Sequence, residues 1–166
     1  MAASVSTKLA AYMRALGQAP ESGENLEQSD IPQTFADMLG WRVLAQRVAE
    51  AVRSLPSGEQ KRVAILGRNY GQSAAVDFYG KALGLPHAIG RHNQYWFWGP
   101  GETDGSALLL INWSPAKVKD RCREALQVGT VDVPHILPHE SRIPITLCRG
   151  LQKPLKELWP ELKLSL

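Results

Sequence analysis

At 166 residues, with 44% hydrophobic and 21% charged side chains, the chain has the balance of an ordinary soluble globular protein and enough bulk for a real core. Its formal net charge is only +3, and the basic residues (Lys61-Arg62, Lys117, Lys119, Arg121, Arg123) are scattered rather than set in a stripe with aromatics, so no nucleic-acid partner is expected. The longest apolar run, Ala107 to Ile111, falls far short of the roughly 20 residues that cross a bilayer, and no signal-peptide pattern opens the chain.

Val5, Leu9, Tyr12, Met13 and Leu16 share one helical face, and Gly17 ends that helix. Residues 18–30, with Pro20, Ser22, Gly23, Asn25 and Ser29, read as a linker. The division expected is therefore an N-terminal helix and linker over 1–30 and one globular domain over 31–166. Trp41, Leu44, Val48, Val52 and Leu55 predict an amphipathic helix closed by Ser57-Gly58. Val63–Leu66, continuously apolar, predicts a strand covered on both faces. A second helix is expected over about 71–83, stopped by Gly84 and Pro86, and a short strand at 87–89.

After the turn at Gly99-Pro100-Gly101, Ala107–Ile111 is the clearest strand. Ser114-Pro115 opens a predicted helix reaching about Gln127. Val131 and Val133 suggest a short strand, Ile143–Cys148 another, and Leu151, Leu155, Leu158, Trp159 and Leu162 a closing helix. Alternating strands and helices predict an α/β fold: a small three-layer sandwich with a mostly parallel sheet, Rossmann-like in general layout. Cys122 and Cys148 have no metal-site spacing. They read as two semi-buried thiols, although one disulfide is permitted.

Two segments carry the chemistry. Asn69-Tyr70-Gly71-Gln72 lies between a strand end and a helix start, where open α/β sheets place ligands. It matches neither GxGxxG nor GxxxxGK[ST], so no nucleotide cofactor is expected, nor any other. Asn69 as a cap and Gly71 for close packing account for two of its residues and leave Tyr70 and Gln72 unexplained. His92-Asn93-Gln94-Tyr95-Trp96-Phe97-Trp98 gathers an imidazole, two amides and four rings ahead of a turn that needs none of them.

Trp96 and Trp98 share strand parity, suited to stacking on a sugar ring or to burial. His92 is the best single candidate for chemistry, with a hydrogen-bonding role the plainer alternative. Asp77 is either a buried partner for Arg68 or His92 or, more commonly for its type, a solvated helix-face carboxylate. Pro134-His135 and Pro138-His139-Glu140 lack the helical scaffold of a metal site, and no metal is expected. A nucleophile elbow is absent. The candidate ligand-binding set is thus Asn69, Tyr70, Gln72, Asp77, His92, Asn93, Gln94, Tyr95, Trp96 and Trp98, with catalytic residues unassigned.

The series Pro32–Trp41, Asn69–Phe78, Gly84-Leu85-Pro86, His92–Pro100 and Cys148-Arg149-Gly150 resembles, in order and spacing, the soluble C-terminal region of certain bacterial membrane glycosyltransferases. These are polyprenyl-phosphate-sugar-dependent enzymes similar to family 39 protein mannosyltransferases and aminoarabinose transferases. The resemblance runs from about Tyr12 to Leu162. It implies an accessory domain that binds a sugar or other polar acceptor and is not catalytic alone, since such enzymes keep their catalytic acid on a loop between the first transmembrane helices, which no position here matches. It also implies an extracytoplasmic setting within a parent protein, with residues 1–17 as the junction; expressed alone, the chain would be cytoplasmic. Two alternatives stand beside it: a transferase or hydrolase using His92 with Asp77 or Glu140, and a module docking on a membrane-embedded partner.

Overall fold

The continuous apolar run ahead of the Asn-Tyr-Gly-Gln segment forms β1 (Ala64–Gly67), buried along its whole length inside a five-stranded sheet. A computed structural model describes residues 4–20 and 27–164, so residues 21–26 of the expected linker lie outside the described residues. The chain divides into two compact units, Met1–Gly40 with Asp132–Arg142, and Trp41–Val131 with Ile143–Leu166.

The smaller unit holds α1 (Val5–Ala15), capped by Ser4, and α2 (Gln33–Ala36). Ala10, Ile31, Ala36 and Leu137 form its core. His135 holds this unit together: Nδ1 meets Asp30 at 2.7 Å, Nε2 lies 3.2 Å from the Thr7 hydroxyl, and its carbonyl accepts from Ser29 Oγ.

The larger unit begins with α3 (Trp41–Ser54) and the short α4 (Ser57–Gln60). After β1 come α5 (Tyr70–Gly80), β2 (Ala88–Gly90), α6 (Gln94–Trp98) and β3 (Ala107–Ile111). Then follow α7 (Pro115–Val118), β4 (Cys122–Val131), β5 (Ile143–Leu151) and α8 (Leu155–Leu158), the last continued by a tight turn over Trp159–Leu162.

The strand order is β2-β1-β3-β5-β4. β1 pairs in parallel with β2 and β3, whereas β5 is antiparallel to both β3 and β4. The fold is therefore α/β with a mixed sheet, and the expectation of a mostly parallel one is corrected. The cause lies after β3. The predicted helix to Gln127 stops at Val118, and residues from Cys122 onward pair with β5 as a ten-residue strand. Helix-forming residues such as Glu124, Ala125 and Leu126 are overridden by the ladder and by a covalent tie, since strand preference is set by pairing and context. That tie is the Cys122–Cys148 disulfide, which corrects the expectation of two thiols.

Side chains alternate across the sheet. Ala64, Leu66, Leu108, Leu110 and Cys148 share one face and form a core with Val118, Cys122, Leu155 and Trp159. Ile65, Leu109, Ile111, Ile145 and Leu147, of the opposite parity, are fully buried on the other.

Candidate functional site

The parallel register brings three strand ends together. Gly67, the last residue of β1, lies beside Gly90 of β2 and Ile111 of β3. The residues that follow them, Arg68, Arg91 and Asn112, therefore emerge side by side at the carboxyl edge of the sheet. Arg68 Nη1 donates to the Asn112 carbonyl at 3.3 Å, linking the ends of β1 and β3.

The Asn-Tyr-Gly-Gln segment builds the turn that holds Arg68. Asn69 caps α5, its side chain accepting from the Gln72 N–H at 2.9 Å. Gln72 Oε1 in turn accepts from the Arg68 N–H at 3.0 Å. Gln72 is wholly buried, and its Nε2 has no hydrogen-bond partner. Tyr70 opens α5, half exposed, with its ring 5.2 Å from that of His92. Gly90 lets α5 settle against β2, because a Cβ there would stand 2.8 Å from both Ser73 Oγ and Tyr95 Cβ.

His92 is 5% exposed and both ring nitrogens lack a partner. Asn93, with φ of 53°, turns the chain into α6, and Gln94 is exposed at its start. Residues 94–98 are helical rather than extended, so strand parity does not apply: residues two apart point in nearly opposite directions. Trp96 turns inward, its indole N–H bonding the Trp159 carbonyl, with the Lys163 ammonium 4.5 Å from its ring centroid. Trp98 turns outward, 65% exposed, beside an equally exposed Phe97.

Asp77 belongs to a separate cluster. It accepts from the Ala88 N–H and the Tyr95 hydroxyl, each at 2.7 Å, and His87 Nδ1 lies 3.3 Å away. It is thus a paired carboxylate rather than a solvated one. Burial, then Asp77 as hydrogen-bond partner and negative charge, pushes the Tyr95 hydroxyl well above its ordinary ionisation range. Tyr95 also packs edge-on against Trp98, 4.9 Å between centroids. Eight of the ten candidates therefore fall into three groups, Asn69–Tyr70–Gln72–His92, Asp77–Tyr95–Trp98, and Trp96 with Trp159, while Asn93 and Gln94 lead the chain into α6. His92 and Asp77 form no hydrogen bond with one another. Glu140 belongs to the smaller unit.

A cavity of the larger unit, about 490 Å³, opens at the carboxyl ends of the parallel strands. None of the ten candidates lines it. Its cationic groups are Arg68, Arg91, Lys117 and Arg121, Glu161 is its one acidic residue, and Trp113 and the paired Cys122 also line it. Burial, then the charges of Arg68 and Arg121, lowers the pKa of the Arg91 guanidinium below its ordinary value. These lining residues escape a sequence reading because they lie apart along the chain. The available signal was positional: Arg68 and Arg91 each directly follow a strand and directly precede one of the two distinctive segments.

All four buried side-chain polar atoms without a partner among the described residues belong to Gln72, Arg91 and His92. Buried polar groups are ordinarily satisfied, so their concentration at the ends of β1 and β2 marks this edge of the sheet. Among the described residues, no three His, Cys, Asp or Glu side chains gather as a metal set, and no helix is long and apolar enough to cross a membrane. No family model, curated protein or solved structure matches the chain.

Proposed function

We propose that this chain is the ligand-binding accessory domain of a membrane glycosyltransferase-like protein, taking a sugar or other polar acceptor and not catalytic alone. The observation that carries the proposal is the cleft at the ends of β1, β2 and β3, on which the residues following the first two strands converge. On this reading the parallel trio has a Rossmann-like layout, with the ligand at the point where the connections reverse from β1–β2 to β1–β3. The Asn-Tyr-Gly-Gln and His-aromatic segments then serve chiefly as its scaffold. They position Arg68 and Arg91, and they supply the unpartnered polar atoms of Gln72 and His92 behind them.

The family resemblance of those segments supports the glycosyltransferase setting. The Cys122–Cys148 disulfide supports an extracytoplasmic one, since disulfides persist in oxidising compartments. Titration of the ¹⁵N-labelled protein with neutral sugars, sugar phosphates and short peptides tests the proposal. The expected result is saturable shifts at the Trp113 indole and Gln72 side-chain amide. No shift at either for any ligand overturns it.

A second reading, docking on a membrane-embedded partner, is favoured by Phe97 and Trp98, 66% and 65% exposed on α6 and outside the cleft. Replacing both with Ser separates the two: retention in a membrane complex is lost if they dock, and cleft binding is unchanged.

A further inference from the structure

The cleft has a chemical asymmetry that a sugar alone does not use. Four cationic side chains stand along it against one carboxylate, Glu161. None of the four forms an ion pair among the described residues, whereas Arg149 elsewhere in the unit is held by both Glu59 and Glu124. Arg91 is half-buried, its Nε wholly so and without a partner, and its charge is opposed by Arg68 and Arg121. Unpaired like charges held together at a partly buried site cost stability, and an anion placed among them reverses the sign of that interaction.

The remainder of the lining is aliphatic. Leu66, Leu108 and Leu110 rise from the sheet, and Leu155, Leu158 and Leu162 close over them from the C-terminal segment. A neutral sugar would leave this floor without an apolar partner, and an inorganic anion would leave it unfilled. The cavity's volume lies within the range of ordinary small-molecule sites and is too small for a nucleic-acid duplex.

Resting on the cleft reading above, we propose that the ligand is an acidic amphiphile. Its phosphate or carboxylate head sits among Arg68, Arg91, Lys117 and Arg121, and its aliphatic part lies on the leucine floor. Guanidinium groups suit such heads because they present paired N–H donors to two oxygens at once.

Calorimetric titration with butyl phosphate, octyl phosphate, octanoate, inorganic phosphate and octyl glucoside, each below its micelle concentration, tests the inference. Octyl phosphate is expected to bind at least about tenfold more tightly than butyl phosphate, as burial of added methylenes requires. Octanoate reports whether a carboxylate head suffices in place of phosphate. Lys117→Met lies on the exposed rim and is expected to leave the fold intact while lowering octyl phosphate affinity about tenfold. Arg91→Met is expected to lower it further, and Arg53→Met on α3, outside the cleft, to leave it unchanged.

Octyl glucoside binding as tightly as octyl phosphate overturns the charged-head half of the inference. Inorganic phosphate matching octyl phosphate overturns the apolar half. Sugars shifting the Trp113 indole while no alkyl anion binds overturns the inference and leaves the cleft reading standing. Silence of every ligand, sugars included, overturns both.

Discussion

Trp96 and Trp159 exchange hydrogen bonds: each indole N–H donates to the other's backbone carbonyl, both at 3.0 Å. The pair ties α6 to the C-terminal turn that follows α8, and Trp159 is buried in the core beneath the cleft. Trp96→Phe or Trp159→Phe removes one donor and leaves one part-buried carbonyl without its partner. Each is expected to cost about 1–3 kcal/mol in urea unfolding. The double variant is expected to cost less than the sum of the two, because losing either bond loosens the geometry that holds the other. Strict additivity would show that the two bonds act independently.

The Cys122–Cys148 disulfide closes a loop with a sequence separation of 26 and ties β4 to β5 beside the ladder pairs Glu124–Arg149 and Ala125–Cys148. Chain-entropy arguments assign about 3.5 kcal/mol to a loop of that length. Cys122→Ala with Cys148→Ala is expected to lower stability by about that amount. Because Cys122 lines the cleft, ligand-site geometry is expected to loosen as well. Thiol titration of the denatured oxidised protein checks the premise, with zero free thiols expected.

Asp77 accepts two 2.7 Å hydrogen bonds, from the Ala88 N–H and the Tyr95 hydroxyl, and so joins α5, β2 and α6. Tyr95→Phe leaves the carboxylate its backbone donor and is expected to cost about 1 kcal/mol, whereas Asp77→Ala strands both donors and is expected to cost about 2–3 kcal/mol. The Tyr95 hydroxyl ionises well above its ordinary range in the fold. Its stabilising contribution is therefore fully present below about pH 10 and is lost as pH rises beyond that. Alkaline unfolding curves of wild type and Tyr95→Phe are expected to converge as pH rises above 10. A gap that stays constant would contradict the assignment.

How much of this was legible in the sequence depended on whether the cause was local. The Asn69 cap is set within one turn of chain, and the position of its segment between β1 and α5 follows from the apolar run before it. The fate of residues 119–127 is not local: the same residues suit a helix until β5, some twenty residues later, offers a ladder and Cys148 a bond. Strand parity would put Trp96 and Trp98 on one side only in an extended chain, and residues 94–98 form a helix, whose period differs. The cleft was invisible because Arg68, Arg91, Lys117 and Arg121 become neighbours only through the parallel register and the path after β3.

Glu140, considered from sequence as a partner for His92, has a testable part in the smaller unit instead. It is half-buried, and burial pushes its carboxyl above the usual range; His139 opposes that shift and the charge of Asp37 adds to it. A carboxyl whose pKa is raised by folding prefers its neutral form in the fold. Its burden on stability is absent below its unfolded value of roughly 4.3 and grows as pH rises through the folded pKa. Glu140→Gln keeps the shape and removes the charge, so the variant is expected to be more stable than wild type at pH 7–8. Below pH 4 the two are expected to coincide. Thermal unfolding of both proteins between pH 3.5 and 8 checks this. A variant less stable than wild type at neutral pH would mean that the ionised carboxylate makes a favourable contact that burial does not outweigh.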